Sequence, residues 1–169
     1  VRLFHESPSQ YNTQLVRSLG SIPHERFAPL LKQVSLAYLN MMTGHDITLD
    51  TAARLRGEGR LVYIDLHMIA YRVHADGRRE PAPLEHWREW LRAGDVLQCN
   101  EREFTALIPG ASSDGERLSM LFEAAQPRCF VLTRGESGAD IYHSSDTVLH
   151  VPAVLPPRTV DPTGCGDAF

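Results

Sequence analysis

Four continuous apolar runs rich in β-formers punctuate the chain at residues 34–42, 61–67, 95–100 and 128–133, their starts about 30 residues apart. That gap is the length of one βα unit. The runs are continuous rather than alternating, as strands buried on both faces of a parallel sheet should be. Between them the apolar period changes to that of a helix. Residues 48–58 carry Leu49, Ala52, Ala53 and Leu55 at helical spacing, with Gly57 and Gly59 near the end. Residues 84–93 follow Pro83 and carry Trp87, Trp90 and Leu91 before Gly94. Residues 100–108 open on an asparagine and acidic residues and stop before Pro109-Gly110, and residues 113–126 carry Leu118, Leu121, Phe122 and Ala125 and stop at Pro127. A further helix is predicted over 23–33, and the rest of the first 30 residues reads as irregular.

After Thr133 the rhythm changes. Residues 138–143 and 147–154 are short strands separated by His143-Ser144-Ser145-Asp146, a hairpin turn, and Pro156-Pro157 forces an extended segment. The pattern therefore predicts one α/β domain: a doubly wound, mostly parallel sheet with flanking helices and an antiparallel hairpin near the C-terminal end. Ligands of such sheets bind outside the carboxyl ends of the strands.

Composition narrows the partners. The chain has 169 residues, 43% of them hydrophobic, enough for one core, and a formal net charge of -4. No basic stripe suggests nucleic acid, and no apolar stretch approaches the roughly 20 residues that span a bilayer. Cys99, Cys129 and Cys165 are odd in number, widely spaced and without a CxxC pair. A disulfide framework is not expected, and a reducing cytoplasm is. Cys99 and Cys129 lie in apolar runs and read as packed thiols.

Chemistry concentrates at strand ends. Asn100 and Glu103 lie three apart at a helix start, so both can face one ligand and order the water shell of Mg²⁺, which keeps several waters when it binds phosphates. The same pair also reads as a capping box. Thr133-Arg134-Gly135-Glu136-Ser137-Gly138 lets a phosphate or ribose approach the backbone, or is simply a tight turn. Asp65 and His67 share a face by the period-two rule. With His45 and His74 they match no zinc spacing, and Asp65 is expected to shape a substrate or nucleotide pocket.

The last element is Asp161-Pro162-Thr163-Gly164-Cys165-Gly166-Asp167-Ala168-Phe169. Closely spaced glycines expose consecutive N–H groups as an anion cradle, and a carboxylate follows directly. Phosphoryl transfer to a hydroxyl needs those two things, a base and donors for the phosphate charge.

Together these elements resemble the ribokinase-like, phosphofructokinase-B-type carbohydrate kinases. Residues 161–167 look like that family's C-terminal signature, Asn100-Glu101-Arg102-Glu103 matches its Asn-x-x-Glu motif, and residues 133–138 are similar to its Thr-x-Gly-x-x-Gly nucleotide loop. The resemblance implies an ATP- and Mg²⁺-dependent kinase acting on a sugar or related small alcohol. It implies Asp167 as catalytic base, an anion hole from the amides of Gly164, Cys165 and Gly166, and a turn shaped by Asp161 and Thr163. Asn100 and Glu103 would organise Mg²⁺ and the phosphates, while Thr133, Gly135 and Gly138 line the nucleotide site. Cys165 stands where the family usually has alanine. The acceptor stays open: a pyrimidine, pyridoxal or nucleoside kinase of the same superfamily, or a non-catalytic nucleotide-binding or scaffolding relative, carries the same elements. So does the oligomeric state, a homodimer of the full-length protein included. The family's early glycine-glycine motif and β-sheet lid have no counterpart in the pattern, and only Ala168 and Phe169 follow the signature. The chain is therefore expected to be one kinase domain cut at both ends and poorly active by itself.

Overall fold

The computed structural model describes residues 2–7, 10–18 and 20–154. The elements run β1 (Arg2–Ser7), β2 (Gln10–Gln14), α1 (His24–Leu31), β3 (Leu36–Asn40), α2 (Leu49–Gly57) and β4 (Leu61–Asp65). A 3-10 turn, His67–Ala70, leads to β5 (Tyr71–Val73) and β6 (Arg79–Pro81). Then come α3 (Trp87–Ala93), β7 (Val96–Asn100), α4 (Glu101–Leu107), α5 (Asp114–Ala125), β8 (Cys129–Thr133), β9 (Ala139–Tyr142) and β10 (Val148–Val151).

A six-stranded sheet in the order β10-β9-β8-β7-β4-β3 forms the centre. β3, β4, β7 and β8 pair in parallel, and β8-β9-β10 is an antiparallel meander. The four continuous apolar runs are thus the four parallel strands, and the hairpin lies where the sequence places it. Helix starts follow from capping: the Thr48 hydroxyl accepts the Thr51 N–H at 3.2 Å, and the Ser113 hydroxyl accepts the Glu116 N–H at 3.2 Å. Helix α3 begins later than its pattern, because His86 takes a left-handed φ of 56° and the helix forms only from Trp87 onward.

The strand order explains where the helices lie. From β3 to β8 each parallel strand is added on the same side of the last. Right-handed crossovers then carry every connecting helix over the same face. The core records this. Val62, Ile64, Leu97, Phe130 and Leu132, which alternate to one side of their strands, are buried with Ala52, Leu55, Leu91, Phe104 and Leu121 of the helices. Phe104 of α4 packs on Phe130 of β8 with ring centroids 5.0 Å apart. Burying such a side chain fully stabilises by about 1.5–3 kcal/mol. On the other face Leu36, Tyr38, Leu149 and Val151 remain exposed, and no helix among the described residues covers them. A doubly wound sheet needs a second helical layer there, and the described residues supply only the first.

Strands connect to that core through Asp95. Its Oδ2 accepts the Val62 N–H at 2.9 Å, tying the starts of β4 and β7 together, and the carboxylate lies near Arg56 and Arg128.

The N-terminal region departs from its irregular reading. β1 and β2 pair antiparallel, as do β5 and β6. A bridge between Gln14 and Arg78, with the Leu15 N–H donating to the Gly77 carbonyl at 2.7 Å, joins the two pairs. β5 and β6, three residues each, are too short to show a period. Asp76-Gly77 in the β5–β6 turn was the available sign: such a dipeptide favours a hairpin, and Gly77 has φ of 82°. The pair lies at the carboxyl side of the main sheet, since it follows directly on the end of β4 and Arg79 donates to the Met42 carbonyl beyond β3 at 3.2 Å.

Candidate active site at the strand carboxyl ends

Register brings the polar strand ends into one line. Asn40 of β3 lies opposite Asp65 of β4, Asp65 opposite Gln98 of β7, and Asn100 of β7 opposite Thr133 of β8. Three of the residues singled out in the sequence, Asp65, Asn100 and Thr133, therefore end three parallel strands at one edge of the sheet.

Asn100 caps α4 with the box the sequence suggested. Its Oδ1 accepts the Glu103 N–H at 3.0 Å, and Glu103 Oε2 accepts the Asn100 N–H at 2.9 Å. The cap does more than start a helix. It holds an amide and a carboxylate at the carboxyl end of β7, and Glu103 is buried to 2% exposure. Its other oxygen, Oε1, accepts from His67 Nδ1 at 3.1 Å. His67 is in turn fixed by its own N–H, which donates to Asp65 Oδ1 at 3.1 Å. Asp65, 4% exposed, thus turns the chain from β4 into the 3-10 segment. The His67–Glu103 contact was not foreseen. Nothing in the spacing of residues 36 apart signals it, because the register of β4 against β7 creates it.

The Thr133–Gly138 loop folds as a single 3-10 turn, Gly135–Ser137, closed by Arg134 N–H donating to the Gly138 carbonyl at 2.7 Å. Gly138, with φ of 94° and ψ of −135°, approaches the backbone of β10 so closely that a Cβ would lie 2.0 Å from the Val151 carbonyl oxygen. Gly135, φ 54°, faces open space: nothing lies within 4 Å of where its Cβ would stand. One glycine makes the turn fit against its neighbour. The other leaves backbone accessible to a ligand.

Arg134 was also missed, and it braces the loop. Its guanidinium bonds Glu101 at the start of α4 and, at 2.5 Å, Asp140 of β9, whose other oxygen bonds His150 of β10 at 2.7 Å. Burial alone would pull the Arg134 guanidinium down, but hydrogen bonds with Asp140, Tyr142 and Glu101 outweigh it and raise its pKa. Burial likewise pushes the Asp140 carboxyl up, yet the bonds from His150 and Arg134 prevail and hold it below the ordinary range. The same ion pairs connect the Asn100–Glu103 element to the glycine loop.

The other two histidine candidates make local contacts. His74 lies 3.0 Å from Glu80 across the β5–β6 pair, and the His45 N–H donates to the Thr43 hydroxyl at 3.2 Å. Among the described residues no three His, Cys, Asp or Glu side chains form a cluster able to hold a metal ion, and no helix is long and apolar enough to cross a membrane. Cys99 is fully packed, and burial first, then the nearby Glu103 and Asp65 charges, raise its thiol well above the usual value. The terminal motif, with Asp161, Thr163, Gly164, Cys165, Gly166 and Asp167, and the Pro156-Pro157 segment lie outside the described residues.

Residues 73–169, more than half of the chain, match the family described as pfkB family carbohydrate kinase. The chain belongs to that family. Over 82 residues it is 33% identical to the cytidine kinase of Thermococcus kodakarensis, covering 48% of this chain and 29% of that protein. Its fold is similar to that of a pyrophosphate-dependent kinase in the ribokinase family, solved as a sulfate complex (TM-score 0.69, 13% identity, 88% of this chain and 50% of that one). It is also similar to Arabidopsis thaliana ribokinase solved with ribose and ATP (TM-score 0.63, 15% identity, 85% and 43%). The pfkB chain thus spans about half, or less, of the length of the relatives it matches.

Proposed function

We propose that the protein to which this chain belongs is an ATP-dependent kinase that phosphorylates a hydroxyl group of a sugar or sugar-like molecule. The observation that carries this reading is the juxtaposition of Asn100–Glu103 and Thr133–Gly138 on neighbouring strand ends, with Asn100 opposite Thr133, in a chain that ends in the phosphate-cradle sequence 161–167. Asp167 takes the proton of the acceptor hydroxyl. That oxygen bonds to the γ-phosphorus, the bond to the bridging oxygen breaks, and ADP leaves. The amides of Gly164, Cys165 and Gly166 receive the phosphate charge, and Asp161 and Thr163 shape their turn. The open backbone at Gly135, with Thr133 and Gly138, would lie along the nucleotide, and Asp65 would help shape the substrate or nucleotide pocket.

The donor set at Asn100 and Glu103 fits Mg²⁺. Both offer hard oxygens at the end of β7, and because Glu103 is already engaged on both carboxylate oxygens it suits contact through water rather than direct ligation. Bound there, the ion would neutralise phosphate charge. The sequence pattern offers no counterpart to the family's lid, but the two antiparallel pairs β1–β2 and β5–β6, joined by one bridge beside the strand carboxyl ends, would serve as one.

A nucleoside as acceptor is the second reading, favoured by the 33% identity to a cytidine kinase. Turnover by the full-length protein over a panel of sugars and nucleosides, read as ADP release with ATP as donor and as orthophosphate release with pyrophosphate as donor, tests both. Turnover of sugars with ATP supports the first reading, and turnover confined to nucleosides supports the second. No turnover with any pair overturns the kinase assignment.

A further inference from the structure

The structure assigns His67 as the positioning residue for the cation- and phosphate-organising carboxylate of Glu103. This rests on the proposed role of Asn100 and Glu103. A carboxylate 2% exposed needs partners for both oxygens, since a buried acceptor left unsatisfied is costly. Glu103 has them. Oε2 is held by the Asn100 N–H at 2.9 Å and Oε1 by His67 Nδ1 at 3.1 Å. A carboxylate oxygen only accepts, so Nδ1 carries the hydrogen.

The imidazole is itself fixed by the backbone. His67 opens the 3-10 turn directly after β4, and its N–H donates to Asp65 Oδ1 at 3.1 Å. Asp65, His67, Glu103 and Asn100 therefore form one chain of hydrogen bonds from the end of β4 to the end of β7. Within it the His67 side chain reaches from the turn after β4 to the Glu103 carboxylate. Without it, Oε1 loses its donor, the carboxylate can rotate off the Asn100 N–H, and both site groups move together. Partners of this kind, which orient a ligand-organising carboxylate without touching the ligand, typically contribute 10- to 100-fold to metal affinity.

The test uses the full-length protein with His67→Ala and His67→Asn. Asparagine can present its amide N–H near the place of Nδ1 and should restore the donor. Mn²⁺ binding in the presence of ADP is read by electron paramagnetic resonance, with thermal melting to confirm that each variant is folded. His67→Ala should weaken Mn²⁺ binding by about 10- to 100-fold. His67→Asn should stay within about threefold of wild type, with the Mg²⁺ needed for half-maximal turnover shifting in parallel and the acceptor KM constant. A merely structural role would lower the melting temperature without moving Mn²⁺ affinity. Wild-type Mn²⁺ affinity in folded His67→Ala, or loss that His67→Asn does not repair, would overturn the assignment. So would wild-type protein that binds no Mn²⁺ with ADP. If instead the Mn²⁺ shifts appear but no acceptor is phosphorylated, His67 keeps its role and the kinase reading fails.

Discussion

Gly138→Ala is the sharpest probe of how the glycine loop is built. The residue has φ of 94° and ψ of −135°, a region that side-chain-bearing residues avoid, at a cost of about 1–3 kcal/mol. A methyl there would also stand 2.0 Å from the Val151 carbonyl oxygen, 2.7 Å from the Ala153 nitrogen and 2.8 Å from the Pro152 carbonyl carbon. These are backbone atoms, so β10 must shift by more than an ordinary side-chain adjustment, adding about 1–3 kcal/mol of overpacking. The sum is about 2–6 kcal/mol. Gly135→Ala is the control within the same loop. It too has a positive φ, 54°, but its Cβ would meet nothing within 4 Å, so only about 1–2 kcal/mol of backbone strain applies. Urea unfolding separates them. With an m-value of about 2 kcal/mol/M, Gly138→Ala should lower the midpoint by roughly 1–3 M and Gly135→Ala by under about 1 M. Equal midpoints for the two variants would refute the close approach of Gly138 to β10.

Three further outcomes follow from the same contacts. Asp95→Ala leaves the buried Val62 N–H without its acceptor and should cost about 1–3 kcal/mol by urea unfolding, whereas Asp146→Ala, on the exposed hairpin turn, should cost under about 0.5 kcal/mol. The Asp140 carboxyl is depressed in the fold, so its contribution is fully present above the ordinary carboxylate pKa and is lost as pH falls through the lower folded value; Asp140→Asn should flatten that acidic limb of the stability–pH curve measured by thermal melting. Cys99 is buried with a thiol raised well above its usual value, so a thiol-specific disulfide reagent should modify it only as fast as the protein unfolds, as mass mapping of labelled peptides would show.

The sheet was legible because its four parallel strands are continuous apolar runs long enough to stand out between helical segments. Val62, Ile64, Leu97, Phe130 and Leu132 announce themselves by type alone. The face they left open was not legible. Leu36 and Tyr38 have the composition of buried strand residues, and only the strand order, with every crossover on one side, leaves them uncovered. Asn100 and Glu103 could be found because a capping box and the proposed ligand-organising pair share one spacing. The structure shows the cap, and the cap is what places the pair. The contacts of His67 and Arg134 stayed hidden for the opposite reason: their partners, Glu103 for one and Glu101 with Asp140 for the other, are brought together by strand register or by the fold of a loop. The short strands β5 and β6 fell below the length at which alternation can be read, although Asp76-Gly77 marked their turn.

The central claim is that Asp167 takes the hydroxyl proton in a kinase whose phosphate-organising groups sit at the ends of β7 and β8. Its most direct measurement is the turnover of full-length Asp167→Asn with ATP and the acceptor on which the wild type is most active. Loss of a general base predicts a fall in kcat of about 10²- to 10⁴-fold, with the KM for ATP within a few-fold of wild type. A kcat within threefold of wild type would contradict it.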